Sequence, residues 1–315
     1  MSINKHLSRR AFGLLCASPV YAAIFQDPFK ITDNVELVLL DVSVKNHTGS
    51  YLTTLQKDSF HVTVDGRPQE ISHFSRVDAP VTIGLIVDNS GSMRYKRPQV
   101  VMAGLAFAKE SNSQDEFFVV NFNNTVAAGL PPQIPFTDQI QTLRSALYMG
   151  DVAGQTALYD AIAFGLKHLE RGHHDKRTLI VVSDGGDNVS QLTQNDVLAL
   201  IARTRATVYT IGLADPEDRD LRPGVLKKFS SVSGGEYFQP AELNDVMDVL
   251  RTISKDIRSR YSIGFSPVPG TQSKSAHNIK VTASVGGERL QVRARTSYTS
   301  DLQSNIQETS LRDWR

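Results

Sequence analysis

The chain has 315 residues, enough for one large domain or two modest ones. With 40% hydrophobic and 21% charged residues it has the composition of an ordinary globular protein, and 34 basic against 33 acidic residues leave a net charge of +1, no electrostatic case for nucleic acid or an anionic membrane surface. No stretch reaches the roughly 20 apolar residues of a membrane-spanning helix; the nearest, Phe12 to Phe25, is too short and is interrupted by Pro19.

Residues 1–25 read as an export signal, which predicts a periplasmic or extracellular protein. Lys5, Arg9 and Arg10 form a basic region, Ala11 to Tyr21 a short apolar one, and Val20-Tyr21-Ala22 a small-residue cleavage site. Ser8-Arg9-Arg10-Ala11-Phe12 resembles the twin-arginine signal, with Gly13 standing where that signal usually has leucine. The single cysteine, Cys16, falls inside this leader, so cysteine usage says nothing about compartment.

From Val35 to Phe74 the pattern is strand-like. Val35 to Val44 is rich in β-formers, Phe60 to Val64 alternates, and Asp65-Gly66 is a hairpin signal. From Val81 strands and helices alternate. Strands are predicted at Val81–Val87, Glu116–Phe122, Thr178–Val182 and Thr207–Ile211. Helices are predicted at Pro98–Glu110, from an Asp138 cap to Leu147, at Thr156–Glu170, at Thr193–Arg203 with Thr193 as N-cap, and at Leu243–Arg258. Such alternation predicts an α/β fold, a doubly wound, mostly parallel sheet covered on both faces. After Tyr261 strands return at Tyr261–Phe265, Ile279–Val285 and Leu290–Arg295, with Gly286-Gly287 as a turn.

The expected domains are therefore a core at 80–259, flanked by β segments at 30–78 and 261–298, with a polar tail at 300–315. A first strand begins at the amino edge of a parallel sheet, and a last helix, antiparallel to the strands, ends at that same edge. The flanking segments should thus meet and build one small β-sandwich-like module, since about 45 residues of isolated β structure are marginal alone.

Ligands of such sheets sit outside the carboxyl ends of the strands. Strand Val81–Val87 ends in Asp88-Asn89-Ser90-Gly91-Ser92, a D-x-S-x-S run. Gly154-Gln155-Thr156 opens a helix, and strand Thr178–Val182 ends in Ser183-Asp184-Gly185-Gly186-Asp187. Three loops at one edge present Asp88, Ser90, Ser92, Thr156 and Asp184. Three hydroxyls and two carboxylates form an all-oxygen donor set suited to a hard cation: Mg²⁺ first, Mn²⁺ or Ca²⁺ as alternatives.

In type, order and spacing these five residues resemble the metal-ion-dependent adhesion site of von Willebrand factor A (vWA) domains. Asp65-Gly66-Arg67-Pro68-Gln69, Tyr261-Ser262-Ile263-Gly264-Phe265 and Val292-Arg293-Ala294-Arg295 resemble segments of the vWA-related exported proteins of Acidobacteria. The resemblance spans nearly all of 35–298. It implies Ser90, Ser92 and Thr156 as direct metal ligands, with Asp88 and Asp184 acting largely through water. Uncharged direct ligands leave the ion electrophilic, so a protein or peptide partner would supply an Asp or Glu to it. The expected function is metal-dependent protein binding, not catalysis.

Other readings compete. Ser90 and Ser92 could merely cap the following helix, although that leaves the other positions unexplained. The metal could serve stability or self-association alone. A metal-assisted hydrolase would need a nucleophile and an acid–base pair; Ser90 sits in no G-x-S-x-G elbow, and a second carboxylate two residues after Asp88 is replaced by Ser90. Gly154-Gln155-Thr156 lacks the Gly-Lys-Ser/Thr of a phosphate loop. Asp187 reads as a turn residue, His173-His174 as a solvated loop, and Arg94-Tyr95-Lys96-Arg97 as a solvated charge run beside the site.

Overall fold

Apolar runs bounded by turn residues become the central strands of a six-stranded sheet. The computed structural model describes residues 37–76, 78–213, 222–267 and 276–299. The export signal with Cys16, the first two residues of the predicted Val35 strand and the polar tail lie outside the described residues. β5 (Val81–Asp88) is buried at every position and pairs in parallel with β6 (Glu116–Phe122) and β8 (Lys176–Ser183). β9 (Thr207–Gly212) and β10 (Tyr237–Phe238) continue the parallel set beyond β8, and β7 (Val126–Ala128) closes the other side antiparallel to β6. The order is β10-β9-β8-β5-β6-β7.

A strand buried throughout needs cover on both faces. Successive strand residues point to opposite faces. Leu85 reaches toward Gly104 of α1 (Arg97–Glu110), and Ile86 toward Gly165 of α3 (Leu158–Leu169). α1 packs beside α2 (Ile140–Leu147) and α6 (Val246–Arg258). α3 packs beside α4 (Gln194–Arg203), which in turn packs on α5 (Pro223–Ser233). Thr193 does cap α4, in a reciprocal box with Asp196. Two boundaries move from expectation: α2 starts at Ile140 with Gln139, not Asp138, in the capping position, and α3 starts at Leu158, which leaves Thr156 in the preceding loop.

The flanking segments form two antiparallel sheets. β1 (Val38–Lys45), β4 (Ile71–Ser75), β11 (Tyr261–Phe265) and β14 (Gln291–Arg293) run in the order β14-β1-β11-β4. β2 (Phe60–Val64), β3 (Arg67–Gln69), β12 (His277–Val285) and β13 (Glu288–Arg289) run β13-β12-β2-β3, with β15 (Ser297–Tyr298) on β12. Asp65 and Gly66 both take positive φ, 49° and 80°, as the two-residue hairpin between β2 and β3 requires. Alternate residues of both sheets, among them Val42, Val62, Ile263 and Ile279, bury one shared apolar core, separate from that of the α/β domain.

Ion pairs join the two parts where the chain crosses between them. Arg258, ending α6, donates to Asp78 (3.0 Å) and Ala79 O (3.2 Å) and pairs with Asp115, whose other oxygen accepts from Val81 N–H at 2.9 Å. Nearby, Asp256 is fully buried and saturated. Its Oδ1 accepts from Ser43 (2.5 Å) and Arg293 (2.6 Å); its Oδ2 accepts from Arg260 (2.7 Å) and the Tyr209 hydroxyl. Although burial opposes ionisation, Arg260 and these hydrogen bonds hold the Asp256 carboxyl below the ordinary carboxylate value.

Candidate metal centre

Each predicted residue sits at a carboxyl end of the parallel sheet. β5 ends at Asp88, whose Oδ1 accepts from the Ser90 N–H at 2.8 Å. This side-chain turn swings the chain into a single 3-10 turn, Gly91–Met93, before α1 begins with Pro98 in its first turn. The Ser90 and Ser92 hydroxyls lie 3.1 Å apart, and Ser92 donates to Asp184 Oδ2. Asp184 follows directly on β8. The first and third loops therefore meet through side chains.

The second loop is tied to both by its backbone. Gly91 N–H donates to Gly154 O at 3.1 Å, and Thr156 exchanges two bonds with Asn188, N–H to Oδ1 at 2.9 Å and O from N–H at 3.1 Å. Gly154 has φ +85°, and a Cβ there would lie 1.9 Å from Asn124 Oδ1, which accepts from Gln155 N–H. Only glycine allows that approach. The Thr156 hydroxyl has no hydrogen-bond partner among the described residues, although Thr156 itself is only 6% exposed.

Asp88, Ser90, Thr156 and Asp184 are buried, and Ser92 is exposed at the mouth. Two buried carboxylates thus lie within electrostatic reach of each other, and neither forms an ion pair among the described residues. Burial first, and then the Asp184 charge, push the Asp88 carboxyl up to about 6, against hydrogen bonds from Ser183 and Ser90 that pull it down. Arg97 is the buried cation nearest in chain; its Nε and Nη2 donate to Asn89 Oδ1, Asn121 Oδ1 (3.0 Å) and Leu147 O, its Nη1 has no partner, and it feels the Asp88 charge without forming an ion pair with it. Among the described residues no cluster of three or more His, Cys, Asp or Glu side chains is arranged to hold a metal. The donor set is carboxylates with hydroxyls, and it fits a hard divalent cation: positive charge would relieve the Asp88–Asp184 repulsion, and the unpartnered Thr156 oxygen is a ready ligand.

Several supporting residues escaped the sequence reading. Ser183 donates to Asp88 Oδ2 at 2.7 Å and accepts from Gly185 N–H, so it orients one carboxylate and shapes the turn before the next. Asn89, buried, links the first loop to Met149 O at 3.2 Å. Arg97 corrects the reading of Arg94 to Arg97 as a solvated run: it is 5% exposed, and Lys96 donates to Leu213 O at 2.7 Å, while Arg94 and Tyr95 do face solvent. Asp187 belongs to the scaffold. With Ser190 it accepts from the first free N–H groups of α3, where an anion suits the helix dipole.

Residues 83–186 match the family described as von Willebrand factor type A domain, and this span contains all five site positions. Over that span, about a third of the chain, the sequence is similar to a vWA domain. A solved von Willebrand factor type A protein from Catenulispora acidiphila superposes with a TM-score of 0.51 at 15% identity, over 78% of this chain and 76% of that one, a likeness of fold. An uncharacterized protein of Borreliella burgdorferi is 25% identical over 124 residues, 38% of this chain; the chain spans about a third (36%) of that relative's length. Among the described residues no helix is long and apolar enough to cross a membrane.

Proposed function

We propose that this vWA domain binds a divalent cation, Mg²⁺ foremost, and through it a protein or peptide partner that presents an Asp or Glu, in the exported setting its leader suggests. Ser90, Ser92 and Thr156 would hold the ion directly, with Asp88 and Asp184 behind them. Bound there, the ion supplies a Lewis-acidic position open to a carboxylate. The protein's own part is orientation. Ser183 and the Ser90 N–H fix Asp88, Gly154 brings the second loop against the first, and exposed Ser92 marks the side from which a partner approaches.

The observation that carries the reading is the pair of buried carboxylates without an ion pair, with a partnerless threonine hydroxyl on the loop bonded to theirs. Uncompensated buried charge is costly, and a cation is the cheapest remedy that these ligands offer. Calorimetric titration of metal-free protein with Mg²⁺, Mn²⁺ and Ca²⁺ tests it. Wild type should bind, and Asp88→Ala should lose binding by at least about tenfold, as the loss of an anionic neighbour implies. No heat from the wild type with any of the three ions overturns the proposal.

A further inference from the structure

A cleft of about 240 Å³ opens at the other end of the sheet, where β8 and β9 begin, lined by Arg177, Arg203 and Arg205 together with Glu170 and Asp175. We propose that this cleft is a second binding site, for a small hydroxylated oxyanion of the sugar-acid or sugar-phosphate class.

Two of the three guanidinium groups are available. Among the described residues Arg203 and Arg205 form neither a hydrogen bond nor a salt bridge, and no arginine of the cleft lies within salt-bridge distance of Glu170 or Asp175. Nor are they needed to cap helices. The carbonyl end of α3 is met by Arg177, which reaches Glu170 O and Gly172 O at 3.5 Å. That of α4 is met by buried Arg295, which donates to Ile201 O (3.2 Å), Ala202 O (3.3 Å) and Thr204 O. The negative helix ends that would repel an anion are thus already offset.

The arrangement also works against stability. Burial, and with it the charge of Arg205, push the Arg295 guanidinium down to about 10. Arg205 adds like charge near a buried cation, against the favourable charge of Asp41, and gains no partner among the described residues, a conflict that an anion in the cleft eases. Arginine's planar fork suits carboxylate and phosphate alike. The two carboxylates decide the rest of the ligand: they accept hydrogen bonds from hydroxyls and disfavour a bare inorganic anion. The volume lies below the roughly 300–1,000 Å³ of drug-sized ligand pockets, so the ligand is small.

Calorimetry on the full chain, with chelator present so that the cation site stays out of play, tests this with glucuronate, glucose 6-phosphate, inorganic phosphate and glucose. Binding of glucuronate or glucose 6-phosphate, with no heat from glucose, supports the site, and whichever binds tighter identifies carboxylate or phosphate as the anchor. The double substitution Arg203→Gln/Arg205→Gln, at two exposed positions, should weaken binding by about tenfold or more, as loss of charged hydrogen bonds implies. Asp88→Asn should leave it unchanged. Silence from both sugar ligands, or binding indifferent to the double substitution, overturns the proposal. Inorganic phosphate binding as tightly as either sugar ligand overturns the role given to Glu170 and Asp175.

Discussion

Two fully buried aspartates sit at opposite ends of the same sheet and are treated in opposite ways. Asp256 is surrounded by Arg260, Arg293, Ser43 and Tyr209, so its charge is matched and both oxygens are filled. Asp88 is surrounded by hydroxyls and a second carboxylate, so its charge is solvated by dipoles and, although Arg97 lies within electrostatic reach, is closed by no ion pair among the described residues. Their pKa values move in opposite directions for that reason. A carboxylate that holds a fold together is given its counter-charge from within the chain; on the proposed reading, Asp88 is left short of its own because a cation supplies it.

The largest effect should come from breaking the saturated site. Asp256→Ala strands the buried Arg260 guanidinium and leaves Arg293 only Glu236, and should cost about 3–5 kcal/mol, read from urea denaturation. The same change of charge at the other end should act with the opposite sign. In metal-free protein at neutral pH, Asp88→Asn should stabilise by roughly 1–3 kcal/mol, because it removes a charge that burial and Asp184 oppose. If both substitutions destabilise alike, the contrast between the sites fails.

pH sharpens the same contrast. The folded Asp88 value of about 6 lies above the ordinary 3.8, so its contribution is fully present below about pH 4 and is lost as pH rises through 6. Metal-free wild type should therefore lose on the order of 3 kcal/mol across that window relative to Asp88→Asn. Asp256 works the other way: its contribution is present above the ordinary value and fades only as pH falls through its lower folded value. Denaturation midpoints of both proteins between pH 4 and 7 check the sign. The smallest effect expected is that of Ser183→Ala, about 1 kcal/mol for the lost bond to Asp88, visible as a modest drop in melting temperature.

The unsaturated site was legible in the sequence because its parts are local. Asp88, Ser90 and Ser92 lie within five positions at a strand end, and Asp184 ends another apolar run. The saturated site was not legible. Ser43 meets Asp256 across 213 positions and Arg293 meets it across 37, pairings no spacing rule announces. Arg97 looks like surface in the sequence because it closes a basic run, yet its position as the first residue of a helix packed against α2 buries it. The helix Pro223–Ser233 was missed because Ser230 and Ser233 fill positions where the periodicity asks for apolar residues; their hydroxyls are satisfied by Lys227 O and Ser230 O, which makes serine tolerable there. What the alternation did give was the parallel sheet and the meeting of its two flanks.

That meeting bears on the order in which the chain folds. The Tyr261 hydroxyl donates to Leu52 O across 209 positions, and β1 finds β11 across a similar distance. Closing a loop of that length from an open chain costs on the order of 5 kcal/mol in entropy before any strand contact repays it. Once the α/β domain has formed and Arg258 has clipped its last helix to Asp78, most of that loop no longer exists as loop. The sandwich then has only short tethers to close, and its strands, late to pair, depend on a neighbour that shares none of their apolar core.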